Sequence, residues 1–522
     1  MEEASLLSTE ITVIAILIVV SLVAVAVRRV RVPYTVALVL VGLALSAWGF
    51  LYVEMTPELV LALFLPPLLF EAAFHIQVGD LRVDAGPILT LAVVGVLLST
   101  ALLGYLLFVA SILPLPVALL FAALISATDP VSVIATFKAL GAPRRLTTLV
   151  EGESLFNDGT AIVVFQIMTL LALGGTLDPL RGLLDFVRIS AGGILIGLLL
   201  GLVAAELIGR IDDYLIETTL TTVLAYGAYL LAEQFHVSGV LAVVMAGLVN
   251  GNIGHRRMSP TTQIVLLNFW EYLAFLANSF VFLLIGMNVR LEELIANAYA
   301  IGGAIAGVLV VRAFTVYGLS GLLRLIRWRV PTAYQHVLFW GGLRGAVSLA
   351  LAFSLVEMDI PYRQELLAMT FGVVLFTLLV QGTTVQFLIT RLGLAGRSEV
   401  FARYQHLQGE LLGIRAAQRH LDTLHEEGAI IPQAWTRVKQ ELARREKRIL
   451  ADMDTLLVEN PEVESEIVTL ARVEALRAAR AALTRFGQEG LLGHDVVARL
   501  IADIDAALEH PDQLAKEPDE EP

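Results

Sequence analysis

Between Ile11 and Thr390 the sequence is a train of apolar segments, each close to the ~20 residues a helix needs to cross a bilayer. They fall near residues 9–27, 33–50, 57–74, 87–111, 115–136, 149–173, 183–209, 215–235, 237–252, 264–288, 294–323, 333–357 and 365–390. By that ruler the chain predicts roughly thirteen transmembrane helices. A composition of 57% hydrophobic against 16% charged residues supplies far more apolar length than a soluble core of this size requires. The first run, Ile11–Val27, follows the acidic stretch Met1–Glu10 and ends in Arg28-Arg29, a charge order opposite to that of a signal peptide, and so predicts a retained span. The chain has no Cys, which removes disulfides, thiolate metal sites and cysteine nucleophiles together.

Short cationic loops mark the cytoplasmic face. Alternate loops hold Arg28, Arg29, Arg31, Arg82, Lys138, Arg144, Arg145, Arg210, Arg256, Arg257, Arg324, Arg327, Arg329 and Arg397, while the opposite set holds little beyond Arg181, Arg188, Arg290 and Arg363. An odd number of spans then puts Met1 outside and the C-terminus in the cytoplasm. The net charge of -13 is uneven: residues 1–397 carry 21 Lys+Arg against 25 Asp+Glu, and residues 398–522 carry 15 against 24. The expected domains are a membrane unit at 1–397 and a cytoplasmic helical tail at 398–522. In the tail, amphipathic runs such as Trp435–Val458 and Glu462–Phe486 are punctuated by Pro432, Pro461, Gly487 and Gly490. The acidic, Pro-containing end from Lys516 to Pro522 predicts disorder. Five of the nine histidines, His406, His420, His425, His494 and His510, lie in the tail, where scattered surface histidines are ordinary, and Trp435 reads as core.

Ionisable residues inside a span cost at least ~2.5–3.5 kcal/mol each and persist only with partners or a cavity. Near the segment centres stand Glu71, Asp129, Glu153, Asp158, Arg312 and Arg344. Ser126-Ala127-Thr128-Asp129-Pro130 divides its apolar segment into two arms, each too short to cross alone. Pro130 removes a backbone donor, and Thr128 or Asp129 can cap the helix that restarts. An ordinary N-cap in a loop is the rival reading. It fails here because irregular backbone at membrane depth is tolerated only against protein or a cavity.

In Glu151–Gly159, Glu153 and Asn157 are four apart, as are Ser154 and Asp158, so helical spacing gathers a patch of oxygen atoms that suits a hard cation. The rival is a hydrophilic loop ahead of a span. Gly341-Gly342-Leu343-Arg344-Gly345-Ala346 interrupts segment 333–357 and mirrors the break at Asp129. Two discontinuous helices, one per half, predict an inverted-repeat transporter with a midplane site. Where they cross, like dipole ends face one another, so Asp129 is expected beside the N-terminal ends and Arg344 beside the C-terminal ends. Arg312 needs a counter-ion, for which Glu153 is the unpaired candidate. Glu71, after the Pro66-Pro67 kink, fits either a cavity wall or a buried hydrogen-bonded acid.

These residues resemble the bacterial NhaP and animal NHE-type sodium/proton exchangers of the monovalent cation:proton antiporter superfamily. The likeness covers about Leu38 to Leu392 and rests on Leu65-Pro66-Pro67 with Glu71, on Ala127-Thr128-Asp129-Pro130, on Glu153-Ser154-Leu155-Phe156-Asn157-Asp158, and on Gly341-Gly342-Leu343-Arg344-Gly345. It implies an all-α polytopic fold of about thirteen helices with inverted repeats, in which a core domain moves against a dimerisation domain. It further implies a homodimer in the cell (inner) membrane that needs no cofactor, binds no nucleic acid and is not an enzyme. In that reading Asp158 binds Na+ or H+, with Asp129, Thr128 and Ser154 assisting, and Glu153 pairs with Arg312; Asn157, on the same oxygen-rich patch, is a further expected ion-binding residue. Asn157 beside Asp158 leaves one principal titrating carboxylate, which predicts electroneutral one-for-one exchange.

Potassium is the alternative ion, since the same oxygen donors suit Li+, Na+ and K+. A passive channel is the nearer rival in mechanism, although a pore repeats its filter across subunits whereas the breaks here repeat within one chain. An aspartyl intramembrane protease using Asp129 and Asp158 lacks a Gly-x-Gly-Asp signature and leaves Arg312 and Arg344 unexplained.

Overall fold

A computed structural model describes residues 2–27, 33–47, 59–175, 178–211, 213–288, 291–325, 328–395 and 399–488, with 493, 496–497, 499–501 and 504. Met1, Arg28, Arg29, Arg31, Arg290, Arg327, Arg397, His494, His510 and the expected disordered end 516–522 lie outside the described residues. The chain divides into two compact units, residues 1–396 and 397–522.

The first unit is helical, and each expected apolar segment has a helical counterpart. Among the described residues, seven helices are long and apolar enough to cross a bilayer, from Ala85–Val109 to Arg363–Arg391. Eight helices build the site: α1 (Leu65–His75), α2 (Leu115–Leu124), α3 (Val131–Leu140), α4 (Arg144–Ala172), α5 (Pro260–Asn288), α6 (Ala298–Leu325), α7 (Thr332–Trp340) and α8 (Ala346–Ser354). Both predicted interruptions are present: helix stops at Leu124 and restarts at Val131, and stops at Trp340 and restarts at Ala346. The acidic motif differs from the hydrophilic-loop reading. Helix α4 begins at Arg144, five residues ahead of the expected 149, so Glu151–Gly159 lies wholly inside helix.

Apolar side chains on all faces let these helices pack without an amphipathic stripe. Trp270 of α5 and Phe70 of α1 are fully buried, with ring centroids 4.4 Å apart. Close approach needs small residues: a Cβ on Gly286 would collide with the Val39 carbonyl, so only glycine lets α5 cross helix Tyr34–Ala47 at this distance.

A short helix unforeseen in the sequence, Val78–Val83, links α1 to helix Ala85–Leu89. At its start Asn252 accepts from the Val78 amide and donates to the Ile76 carbonyl, each at 2.9 Å. At its far end Arg145 grips Asp84 through Nε and Nη2 at 2.8–3.1 Å, and Arg144 meets Asp80 at 2.8 Å. The link is therefore fastened at both ends.

The second unit is a helical hairpin, Glu399–Glu426 with Pro432–Glu459, followed by Pro461–Gln488. Gly428, in the left-handed region at φ 72°, makes the turn. Leu411, Ile414, Ile449 and Met453 form the seam. Trp435 is packed by neighbours: its Nε1 donates to Asp422 at 2.9 Å and its ring stacks on His425 at 4.4 Å. Lys439, hydrogen-bonded to Asp422 at 2.8 Å, holds that carboxyl below the usual carboxylate range.

Candidate functional site

The two interruptions meet. The Asp129 amide donates to the Leu343 carbonyl at 2.8 Å, joining the broken strands of backbone between α2 and α3 and between α7 and α8. The Asp129 carboxylate accepts from the Val131 amide at 3.2 Å and from the Ala346 amide, so it caps the starts of both α3 and α8. Arg344 does the converse, donating to the carbonyls of Ser126 and Ala127 at 3.2 and 3.3 Å just past the end of α2. With 5% exposure it is far too deep to snorkel. Its backbone amide is held by Thr377 at 3.1 Å, from a π-turn at Thr377–Gln381. Acid beside positive ends and base beside negative ends is the arrangement the crossing requires.

Helix α4 fastens this crossing through one residue. Thr128 is bound by three side chains spaced i, i+3 and i+4 along α4. The Ser154 hydroxyl donates to its carbonyl at 2.5 Å, the Asn157 amide donates to its hydroxyl at 3.2 Å, and its own amide donates to the Asp158 carboxylate. Glu153 turns the other way. Arg312 of α6 meets it bidentately at 2.8 and 3.0 Å and also donates to the Leu338 carbonyl at 3.0 Å, so the C-terminal turn of α7 gains a cationic partner. Asn157 also donates to Glu153 Oε1 at 3.4 Å and thereby ties the ion pair to the crossing.

A cavity of about 400 Å³ opens beside the crossing, lined by Asp158, Asp129, Thr128 and Ser154 on one wall and by Glu71, His75, Glu271 and Asn278 of α1 and α5 on the other. Asp158 is buried, and its Oδ1 has no hydrogen-bond partner among the described residues. Such an orphaned oxygen fits a monovalent cation or proton as its partner, because a buried carboxylate oxygen left unpaired is costly. Four of the five residues expected to hold the ion share the cavity. Asn157 is directed at Thr128 and Glu153 and does not line it, so its position is that of a brace. Glu71 lines the cavity, its carboxylate 3.3 Å from His75. Glu271, Asn278 and His75 carried no motif in the sequence and are brought in by α1 and α5 alone.

Gly345 sits in the tightest part of the crossing. A Cβ there would stand 2.6 Å from Cβ and Cγ of Asp129. Overpacking of this kind costs ~1–3 kcal/mol, so Gly345→Ala is expected to push the Asp129 carboxylate off the helix starts and cut transport roughly tenfold while leaving insertion intact. Initial rates in proteoliposomes, normalised to protein content, check this.

Two broken helices crossing around paired charges, beside a cavity lined by an unsatisfied carboxylate, define a multi-pass membrane protein of the broken-helix transporter class. Residues 14–391 match the sequence model of the family described as "Sodium/hydrogen exchanger, transmembrane", and the chain belongs to that family. It is 43% identical over 397 residues to the Na(+)/H(+) antiporter ApNhaP of Aphanothece halophytica, covering 76% of each chain. It is 41% identical over 444 residues, 84% of each chain, to the low-affinity Na(+)/H(+) antiporter NhaS1 of Synechocystis. Its fold is that of the sodium proton antiporter MjNhaP1 from Methanocaldococcus jannaschii, with a TM-score of 0.62 at 22% identity over 75% of this chain and 99% of that one.

Proposed function

We propose that this chain is a secondary active antiporter that exchanges Na+ for H+ across the membrane by alternating access. The observation that carries the reading is Asp158: a buried carboxylate with one oxygen unpaired, facing a cavity where Thr128, Asp129 and Ser154 add hard oxygen donors. A buried carboxylate left charged and unpaired is costly, and either a proton or a cation can neutralise it, so the two compete for one position. The names of the relatives support sodium as the cation, while the donor set itself suits Li+ and K+ as well. The only covalent change in the cycle is the O–H bond gained and lost at the carboxylate, and the cycle needs no cofactor.

Further parts of the reading are a homodimer in lipid, a cell (inner) membrane location, Met1 outside and the tail in the cytoplasm, where it contacts its twin or modulates transport. Glu153, paired with Arg312, and Arg344, set against backbone carbonyls, compensate charge and do not take the ion. With Asp158 the principal titrating group, one Na+ replaces one H+ and no net charge moves. The test is purified protein in liposomes, with proton movement followed after jumps of Na+, Li+ and K+ at clamped membrane potentials. The expected result is Na+-driven alkalinisation inside proton-loaded vesicles whose rate is unchanged when the potential is set with valinomycin and K+. A rate that follows the imposed potential overturns the one-carboxylate stoichiometry, and a flux indifferent to the pH gradient favours a channel.

A further inference from the structure

The wall of the cavity carries charge that the exchange cycle described above does not use. Lys138, in the last turn of α3, lines the cavity with Glu71 and His75 of α1, Glu151 of α4 and Glu271 of α5. Its charge acts on both Glu71 and Glu151. The Lys138 side chain is exposed and forms no ion pair within 4 Å among the described residues. An ammonium on a four-carbon stem is a compact, strongly hydrated monovalent cation, the same class of ion as the transported one.

We infer that Lys138 is a tethered competitor of the substrate cation: it offsets the three vestibule carboxylates and so sets the apparent affinity for Na+. The inference rests on the antiport reading. Clefts lined by one sign of charge concentrate the opposite ion, and a fixed cation inside the cleft cancels part of that gain. For unit charges several ångströms apart in a partly aqueous cavity, the effect on local cation concentration is on the order of fivefold. It is screened by salt, because the Debye length is ~10 Å at 0.1 M. The rival role for Lys138 is to complement the negative end of α3. A role of that kind alters stability and leaves the Na+ KM and its salt dependence alone.

The experiment compares wild type, Lys138→Gln, Lys138→Met and Lys138→Arg as full-length protein in liposomes. Na+-driven proton movement is measured against Na+ concentration at alkaline pH, first at low ionic strength and then with added choline chloride. Both neutral variants are expected to lower the Na+ KM on the order of fivefold with the maximal rate kept. The arginine variant is expected to behave as wild type, and the difference to shrink as choline chloride rises. An unchanged or raised KM in the neutral variants, an equal shift in the arginine variant, or a difference indifferent to salt overturns the inference and leaves the antiport reading standing. Wild-type vesicles without Na+-dependent proton movement overturn the antiport reading, and this inference falls with it.

Discussion

Asp158→Asn is expected to abolish Na+-driven proton movement, by a factor of at least ~100, while the protein still inserts and folds. The asparagine fills the same volume and can still accept the Thr128 amide, so the contact between α4 and the crossing is kept. What is lost is the only property the mechanism asks of the side chain, a negative charge that a proton or a cation can neutralise. A residual rate above a few per cent of wild type would move the coupling to another group, with Asp129, Glu71, Glu151 and Glu271 the remaining carboxylates of the cavity. Fluorescence from a pH dye trapped in proteoliposomes reads the rate, and a thermal melt in detergent separates loss of coupling from loss of fold.

The second large effect is on stability. Arg312→Met leaves Glu153, 3% exposed, without its bidentate partner and leaves the Leu338 carbonyl without its donor. Removing one member of a buried pair costs ~3–5 kcal/mol, because a charge stays behind in a place that cannot solvate it. The single variant is expected to melt far below wild type. Glu153→Leu combined with Arg312→Met removes both charges and is expected to recover most of the loss, since a pair of apolar groups packs where the ion pair was. The double variant still lacks the Glu153 oxygen that Asn157 touches, so its transport is expected to stay impaired. Equal melting of single variant and wild type would show that the pair contributes little.

Much of this site is written locally in the sequence. The breaks at Asp129 and Arg344, the helical spacing of Ser154, Asn157 and Asp158, and the need of Arg312 for Glu153 all follow from the cost of polar groups in apolar segments. The far wall is not written locally. Glu271 and Asn278 lie on a long helix with no interruption, and the packing of α5 against α1 brings them to the cavity. The short helix Val78–Val83 carries no signal of its own, because six residues with one acid and one base among them are too few to show a helical period. Spacing fixes the face of α4 that Asn157 shares with Glu153 but not the rotamer on it, and its Nδ2 donates to Thr128 and Glu153. The proposed homodimer and the proposed role of the tail depend on surfaces between bodies, which periodicity within one chain does not describe.

Proton release on cation binding tests the central claim most directly. Purified protein in weakly buffered detergent solution, near the pH where Asp158 is half protonated, is titrated with NaCl while a pH indicator and a calorimeter count protons and bound ions. If Asp158 holds one ion at a time, each Na+ bound at low pH displaces close to one H+, the ratio falls as pH rises, and Asp158→Asn removes both signals. Binding of Na+ with no proton released at any pH, or an undiminished signal in Asp158→Asn, would contradict competition at this carboxylate.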